Sequence, residues 1–192
     1  MKVNSMKEIK KAVLFLVILS FLTGVLYPAV VTILAQVIFP QKAGGSLIHK
    51  FDGTCVGSAL IGQPFSAPGY FWPRPSATAD FPYNPLASGG SNLGPTNTDL
   101  IIRIKERIAW YQTAGYSTPL PPDLDTASAS GLDPDISVES AIIQIPRIAR
   151  ERRIPQDKIY RLVQNYTENR QIGFLGQKRV NVLKLNLALD NL

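Results

Sequence analysis

Read as a string of apolar and polar positions, the chain divides near residue 41. Residues Ala12 to Gln41 carry no charge, a run bracketed by Lys11 and Lys42. Within it only Ser20, Thr23, Thr32 and Gln36 are clearly polar side chains. About 20 apolar residues suffice to cross a hydrocarbon core, and a buried helix of a soluble protein seldom runs so far without charge. The pattern therefore predicts a transmembrane helix over residues 12–40. A cleaved signal peptide would have an apolar region of about 7–15 residues followed by small residues. The best cut, after Ala35, has bulky Ile33 where a small residue is needed, which favours an uncleaved anchor. At about 1.5 Å per residue, Ala12 to Phe39 makes roughly 42 Å of helix, so it tilts or projects beyond the core. Ser20, Thr23, Gly24 and Tyr27 share one stripe, the kind of small and hydroxylated face on which membrane helices pack. Pro28 is expected to kink or loosen the helix there.

Beyond the anchor, the pattern changes period several times. Two short apolar runs flank Asp52-Gly53, a hairpin signal that places His49 on a strand surface and Cys55 as a small core residue. Residues 64–97 show no period and carry seven prolines. Such a long loop is functional or disordered, and its aromatics (Phe65, Tyr70, Phe71, Trp72, Phe81 and Tyr83) argue for order. Those aromatics pack either on the domain's own core or on a partner protein. Tyr70, Phe71, Trp72 and Arg74 are the candidate partner contacts, with Arg74 fixed between Pro73 and Pro75. Asn97 or Thr98 caps a helix from about Asp99 to Thr113 that stops near Gly115. Ser137 caps another through about Arg153, disturbed by Pro146, and a further helix starts near Pro155 and runs to about Glu168. The end of the chain alternates leucines like a strand, but its Leu/Ala content and Asn181 favour a helix. The expected fold is α+β: a single N-terminal transmembrane helix, then one mixed extracytoplasmic domain (42–192) with a short hairpin, several helices and a long ordered loop.

Composition sharpens this picture. The 192 residues are 45% hydrophobic and only 18% charged, with a net charge of +6. Half of that charge lies in the short tail 1–11, where Lys2, Lys7, Lys10 and Lys11 stand against Glu8. The positive-inside rule then places the tail in the cytoplasm and residues 42–192 on the other side. The remaining charge is spread over the outer domain, so the basic balance does not indicate nucleic acid. The block Arg147, Arg150, Arg152, Arg153, Lys158 and Arg161 reads as a solvated face, or as a partner or headgroup surface.

The chemistry-bearing residues are few. One Cys and one His exclude a disulfide framework, a cysteine metal cluster and multi-histidine sites. No G-x-S-x-G or Walker A string occurs. Ser88, Gly89, Gly90, Ser91 and Asn92 could form a backbone nest for a nucleotide or anion, although Gly-Gly with serines is also common in plain turns. Asp123, Asp125, Asp133 and Asp135 match no calcium loop. No metal ligand set and no catalytic residue is expected.

The strings GYFWPRPSATADFPYNPLASGGSNLGPTN (69–97), TASASGLDPDIS (126–137), IQIPRIAR (143–150) and VNVLKLNLALD (180–190) resemble the C subunit of the Kdp-type potassium-transporting ATPase, the KdpC family. The resemblance implies a bacterial inner-membrane complex. In it a channel-like A subunit passes K+, a P-type B subunit hydrolyses ATP, and a small F subunit supports the assembly. It implies a non-catalytic accessory subunit for this chain, a catalytic chaperone that raises the ATP affinity of the B subunit. ATP, Mg and K+ would be handled by the complex, with no cofactor held by the chain itself. A free-standing membrane-anchored binding module or enzyme is the alternative.

Overall fold

A computed structural model describes residues 5–50 and 52–192. It separates into two compact units, one ending at Leu47 and one running from Ile48 to Leu192. Lys2, part of the charge that orients the anchor, lies outside the described residues, as does Phe51.

The first unit is one long apolar helical run. Among the described residues it is the one helix long and apolar enough to cross a membrane, spanning Met6–Ile38 with none of it buried. It consists of α1 (Ser5–Phe21), a π-helical turn (Leu22–Leu26) and α2 (Tyr27–Ile38). Pro28 explains the π turn: it has no N–H for the carbonyl of Gly24, and its ring crowds that group. One residue earlier, the N–H of Tyr27 reaches Leu22 instead, a bond one residue longer than in an α-helix. The helix breaks at Phe39 (φ −132°, ψ 57°) because the residue before Pro40 is pushed out of helical conformation. A short α3 (Pro40–Ala43) follows.

In the second unit, β1 (Leu47–His49) and β2 (Cys55–Ser58) pair as a hairpin. Lys50 N–H donates to Thr54 O at 2.9 Å, and Gly53 takes the left-handed conformation the turn needs (φ 81°). His49 is exposed on its strand. Cys55 is exposed too, which corrects its expected core position: a two-stranded hairpin leaves one face open, and Cys55 is on it. The loop then runs to α4 (Thr98–Thr113), with one 3-10 turn at Pro85–Ala87. Asn97 caps α4 by accepting from Asp99 N at 2.8 Å. After α5 (Pro122–Asp125) come β3 (Asp135–Ser137), α6 (Val138–Ile142), α7 (Ile145–Arg152), α8 (Gln156–Asn165), β4 (Thr167–Glu168), β5 (Arg179–Asn181) and α9 (Val182–Leu189). The single helix expected from Ser137 to Arg153 is therefore two, divided before Pro146. α8 ends three residues short of Glu168, because Thr167 and Glu168 join a sheet. That three-stranded antiparallel sheet has the order β3-β5-β4, with Ile136 opposite Val180 and Thr167 also opposite Val180. The final leucines form a helix capped by Asn181, as its composition suggested.

Two apolar clusters hold the unit together. Phe71, Ile136, Ile145, Ile148, Ile159, Val163, Val180, Leu185 and Leu189 form one; Trp72, Tyr111, Leu120 and Leu124 form the other. Phe71 and Trp72 are neighbours in sequence yet enter different clusters. The irregular loop thus passes between the two like a buried strand, pointing alternate side chains to opposite sides.

Candidate functional site

Residues 68–75 of the irregular loop are held by polar groups from two helices, α7 and α9, and their flanks. α9 contributes Asn186, whose Oδ1 accepts from Phe71 N at 2.8 Å while Nδ2 donates to Phe71 O at 3.0 Å. The N-terminal flank of α7 contributes Gln144, whose Oε1 accepts from Trp72 N at 2.7 Å while Nε2 donates to Trp72 O at 3.1 Å. Two buried side-chain amides thereby replace the ladder that a neighbouring strand would provide. Each amide is matched donor for acceptor, so the N–H and C=O of both Phe71 and Trp72 are paired.

Arg147, in the first turn of α7, completes the clamp. It is only 5% exposed. Its guanidinium stacks 3.6 Å from the centre of the Trp72 ring. It donates to Tyr116 Oη at 2.6 Å, to Tyr70 O and Gln144 Oε1 at 2.9 Å, and to Pro68 O. Burial pulls the guanidinium below its ordinary pKa, and the Tyr116 hydroxyl opposes the shift. A buried arginine with carbonyls and a π face in place of a carboxylate serves positioning rather than charge neutralisation. Around it, Trp110 stacks on Trp72 at 4.0 Å between ring centres, Tyr111 and Tyr116 meet edge to face, and Arg107 covers Trp110 at 4.5 Å. Arg152 and Asp190 pin the other end of the segment. Arg152 donates to Gly69 O at 2.6 Å and to Asp190 Oδ1 at 2.7 Å, and it lies over the Tyr70 ring.

These contacts settle how the aromatics are used within the chain. Phe71 and Trp72 are buried in the domain's own core, so of the two readings left open by the sequence the core reading is the one realised for both. Arg74 is already engaged: its Nη1 donates to Asp133 Oδ2 at 2.8 Å, and its carbonyl accepts from the Tyr83 hydroxyl. The basic block is likewise divided. Arg147 is buried and Arg152 is half-buried, whereas Arg150, Lys158 and Arg161 are solvent-facing or nearly so. Sequence periodicity could not separate these arginines, because α7 is short and its burial is set by the loop lying on it.

The Gly-rich turn has a packing explanation. Gly89 N–H and Ser88 Oγ both donate to Ser130 O, at 2.9 and 3.0 Å, and are therefore committed within the fold. A Cβ on Gly90 would stand 2.9 Å from Ala129 O. One on Gly131 (φ 68°) would stand 2.7 Å from Gly89 O. Glycine is needed where these two backbones cross. Ser91 and Asn92, the rest of the proposed nest, continue the turn, with Asn92 left-handed (φ 52°).

Asp123, Asp133 and Asp135 lie along an open cleft of about 550 Å³ that also includes Arg74, Glu139 and Arg179, whereas Asp125 lines a separate one beside Arg103 and Arg107. Asp123 accepts from Ser137 N at 2.7 Å and from Ser140 Oγ at 2.7 Å, which secures the start of α6. Asp135 faces Arg179 at 3.0 Å. Burial, then the Asp133 charge, raises its pKa, and Arg179 opposes them. Among the described residues no group of His, Cys, Asp and Glu is arranged to hold a metal ion.

In the anchor, Thr23 Oγ1 donates to Leu19 O at 2.7 Å, so its hydroxyl is satisfied inside the helix. A Cβ on Gly24 would meet nothing within 4 Å among the described residues. Ser20 and Tyr27 share the exposed surface, and the stripe straddles the π turn. Of the clamp residues, Gln144, Asn186 and Asp190 carry no sequence expectation, and Arg147, read with the basic block as a solvated or partner-facing residue, is instead buried. A signal did exist: Gln144 and Asn186 are polar residues at positions where Ile143-Gln144-Ile145 and Leu185-Asn186-Leu187 read as core.

The model of the family described as "K+-transporting ATPase, c chain" matches residues 9–191. A protein of Geobacter sulfurreducens named potassium-transporting ATPase KdpC subunit is 57% identical over 187 residues, 97% of this chain and 99% of that protein. Its namesake from Geobacter metallireducens is 55% identical over the same length and shares. A Burkholderia vietnamiensis protein of that name is 56% identical over 184 residues, 95% of each chain.

Proposed function

The chain belongs to the KdpC family, and from that premise we propose that it is the accessory C subunit of a Kdp-type potassium transporter in a bacterial inner membrane. The observation that carries this reading is the match itself, which runs from the anchor through α9. Lysines before the apolar run favour a cytoplasmic N-terminus and an extracytoplasmic domain 42–192. The stripe Ser20, Thr23, Gly24 and Tyr27 packs on the channel-like A subunit. Among the described residues no contact requires glycine at position 24, which supports an outward use of that face. The outer domain sits at the K+ entry side and has no catalytic step of its own. ATP is hydrolysed by the B subunit in the cytoplasm, so Ser88–Asn92 does not touch the nucleotide. The chain raises ATP affinity as a chaperone of the complex, through contacts that differ between transport states.

The test is the ATP dependence of K+-stimulated hydrolysis, compared between purified complex with and without this chain. The expected result is a lower half-saturating ATP concentration when the chain is present. Identical ATP dependence would remove the chaperone role.

A further inference from the structure

The connection from β4 to β5 carries a feature that the clamp does not use. Ile172 and Phe174 stand at its tip, 82% and 68% exposed, with Leu175 beside them. The tip is not slack. Gln171 N–H donates to Leu175 O at 2.9 Å, Leu175 N–H returns a bond to Gln171 O at 2.9 Å, and Gly173 N–H donates to Arg170 O at 3.2 Å. Ile172 is held left-handed (φ 53°), a conformation that a β-branched side chain adopts only under constraint. Gly173 and Gly176 are left-handed as well and let the turn close (φ 83° and 76°).

A self-bonded turn therefore spends backbone strain on presenting two large apolar side chains to the outside. Arg170 and Lys178 flank it, both exposed and, among the described residues, in no ion pair. Arg179, next in sequence, is by contrast tied to Asp135 and Glu168. The tip thus combines a fixed apolar knob with two uncommitted positive charges.

We propose that this turn is a docking knob, and that Ile172 and Phe174 enter an apolar socket edged with carboxylates on the extracytoplasmic face of the membrane-embedded partner subunit. This rests on the reading of the chain as a transporter subunit and adds the patch by which its outer domain holds on. A protein socket fits better than a bilayer. Pre-ordering a turn lowers the cost of entering a shaped site, whereas a fluid interface gains little from fixed geometry. Arg170 and Lys178 supply the charge match that sets orientation and makes the contact salt-sensitive.

The experiment uses the full chain in native membranes holding the whole transporter. A photo-reactive benzoylphenylalanine replaces Phe174, and the membranes are irradiated. A covalent adduct with the membrane-embedded subunit is expected. An adduct with lipid, an adduct with a second copy of this chain, or no adduct from a chain that still co-purifies with the complex would each overturn the proposal. Independently, Ile172→Ser combined with Phe174→Ser should lower recovery of the partner at least tenfold with an unchanged melting temperature. Undiminished recovery overturns the docking site alone. Failure of the unaltered chain to recover any ATPase subunit overturns the subunit reading, and this proposal with it.

Discussion

Asn186 and Phe71, 115 residues apart in sequence, exchange two hydrogen bonds at 2.8 and 3.0 Å. One side-chain amide on α9 reads the loop backbone as a strand would. Asn186→Leu removes both partners and leaves a buried N–H and C=O unpaired, at a cost of about 3 kcal/mol. A fall in melting temperature of roughly 10 °C is expected for a domain of this size. Asn186→Asp should recover only part of it, since a carboxylate accepts from Phe71 N but donates nothing to Phe71 O. Thermal unfolding of the detergent-solubilised chain, followed by near-ultraviolet circular dichroism, checks both.

Arg147→Lys keeps the charge but loses the planar fork that reaches Tyr116, Gln144 and two loop carbonyls. About 3 kcal/mol of destabilisation is expected, because the remaining acceptors are buried. Trp72 and Trp110 are the two tryptophans of the chain and stack on each other beside Arg147. Their near-ultraviolet signal should therefore weaken in the folded variant, whereas Arg150→Lys, on the exposed side of α7, should leave it unchanged.

Burial raises the hydroxyl pKa of Tyr83 and of Tyr111 well above the usual tyrosine value. A raised folded-state pKa gives stability that is complete below about pH 10 and is lost as pH rises toward the folded value. Burial raises Tyr116 too, so alkaline titration at 295 nm should show a late step of buried tyrosinates, Tyr83 and Tyr111 among them, that coincides with unfolding. Tyr83→Phe with Tyr111→Phe should shrink that step by two hydroxyls. A smooth titration of both hydroxyls in the folded protein would contradict the packing described.

Much of this architecture was legible in the sequence, and the gaps have physical causes. The anchor, the Asp52-Gly53 hairpin, the Asn97 cap and the Asn181 cap are local signals, readable from a few adjacent residues. The three-stranded sheet was missed because β3, β4 and β5 are two or three residues each, too short to show alternation. The loop was recognised as ordered, but its clamp was not. Gln144, Arg147 and Asn186 meet residues 68–72 only through tertiary contacts, and spacing along the chain carries no record of them. Cys55 was misplaced for a similar reason, since which face of a hairpin is covered depends on what packs against it.

Gly24 lies within the π turn that precedes Pro28, exposed like the rest of the anchor around it. A Cβ at position 24 meets nothing within 4 Å among the described residues, so Gly24→Leu should let the isolated subunit insert and fold normally. Co-purification with the channel-like subunit should drop several-fold, measured by quantitative blotting of detergent extracts. Unchanged recovery would remove this stripe as a packing face.

Orientation is tested at Leu86, which is 95% exposed. In a Cys55→Ser background, Leu86→Cys should react with a membrane-impermeant maleimide once the outer membrane is permeabilised, while the inner membrane is intact. Reaction only after the inner membrane is opened would reverse the orientation and return the domain to the cytoplasm.

The most direct measurement is affinity isolation of the tagged, full-length chain from native membranes grown at limiting K+, with the co-isolated proteins identified and quantified. A subunit predicts recovery of the P-type ATPase chain and a multi-span channel-like chain in near-equal amounts with the tagged chain. Recovery of the tagged chain without either would contradict the account.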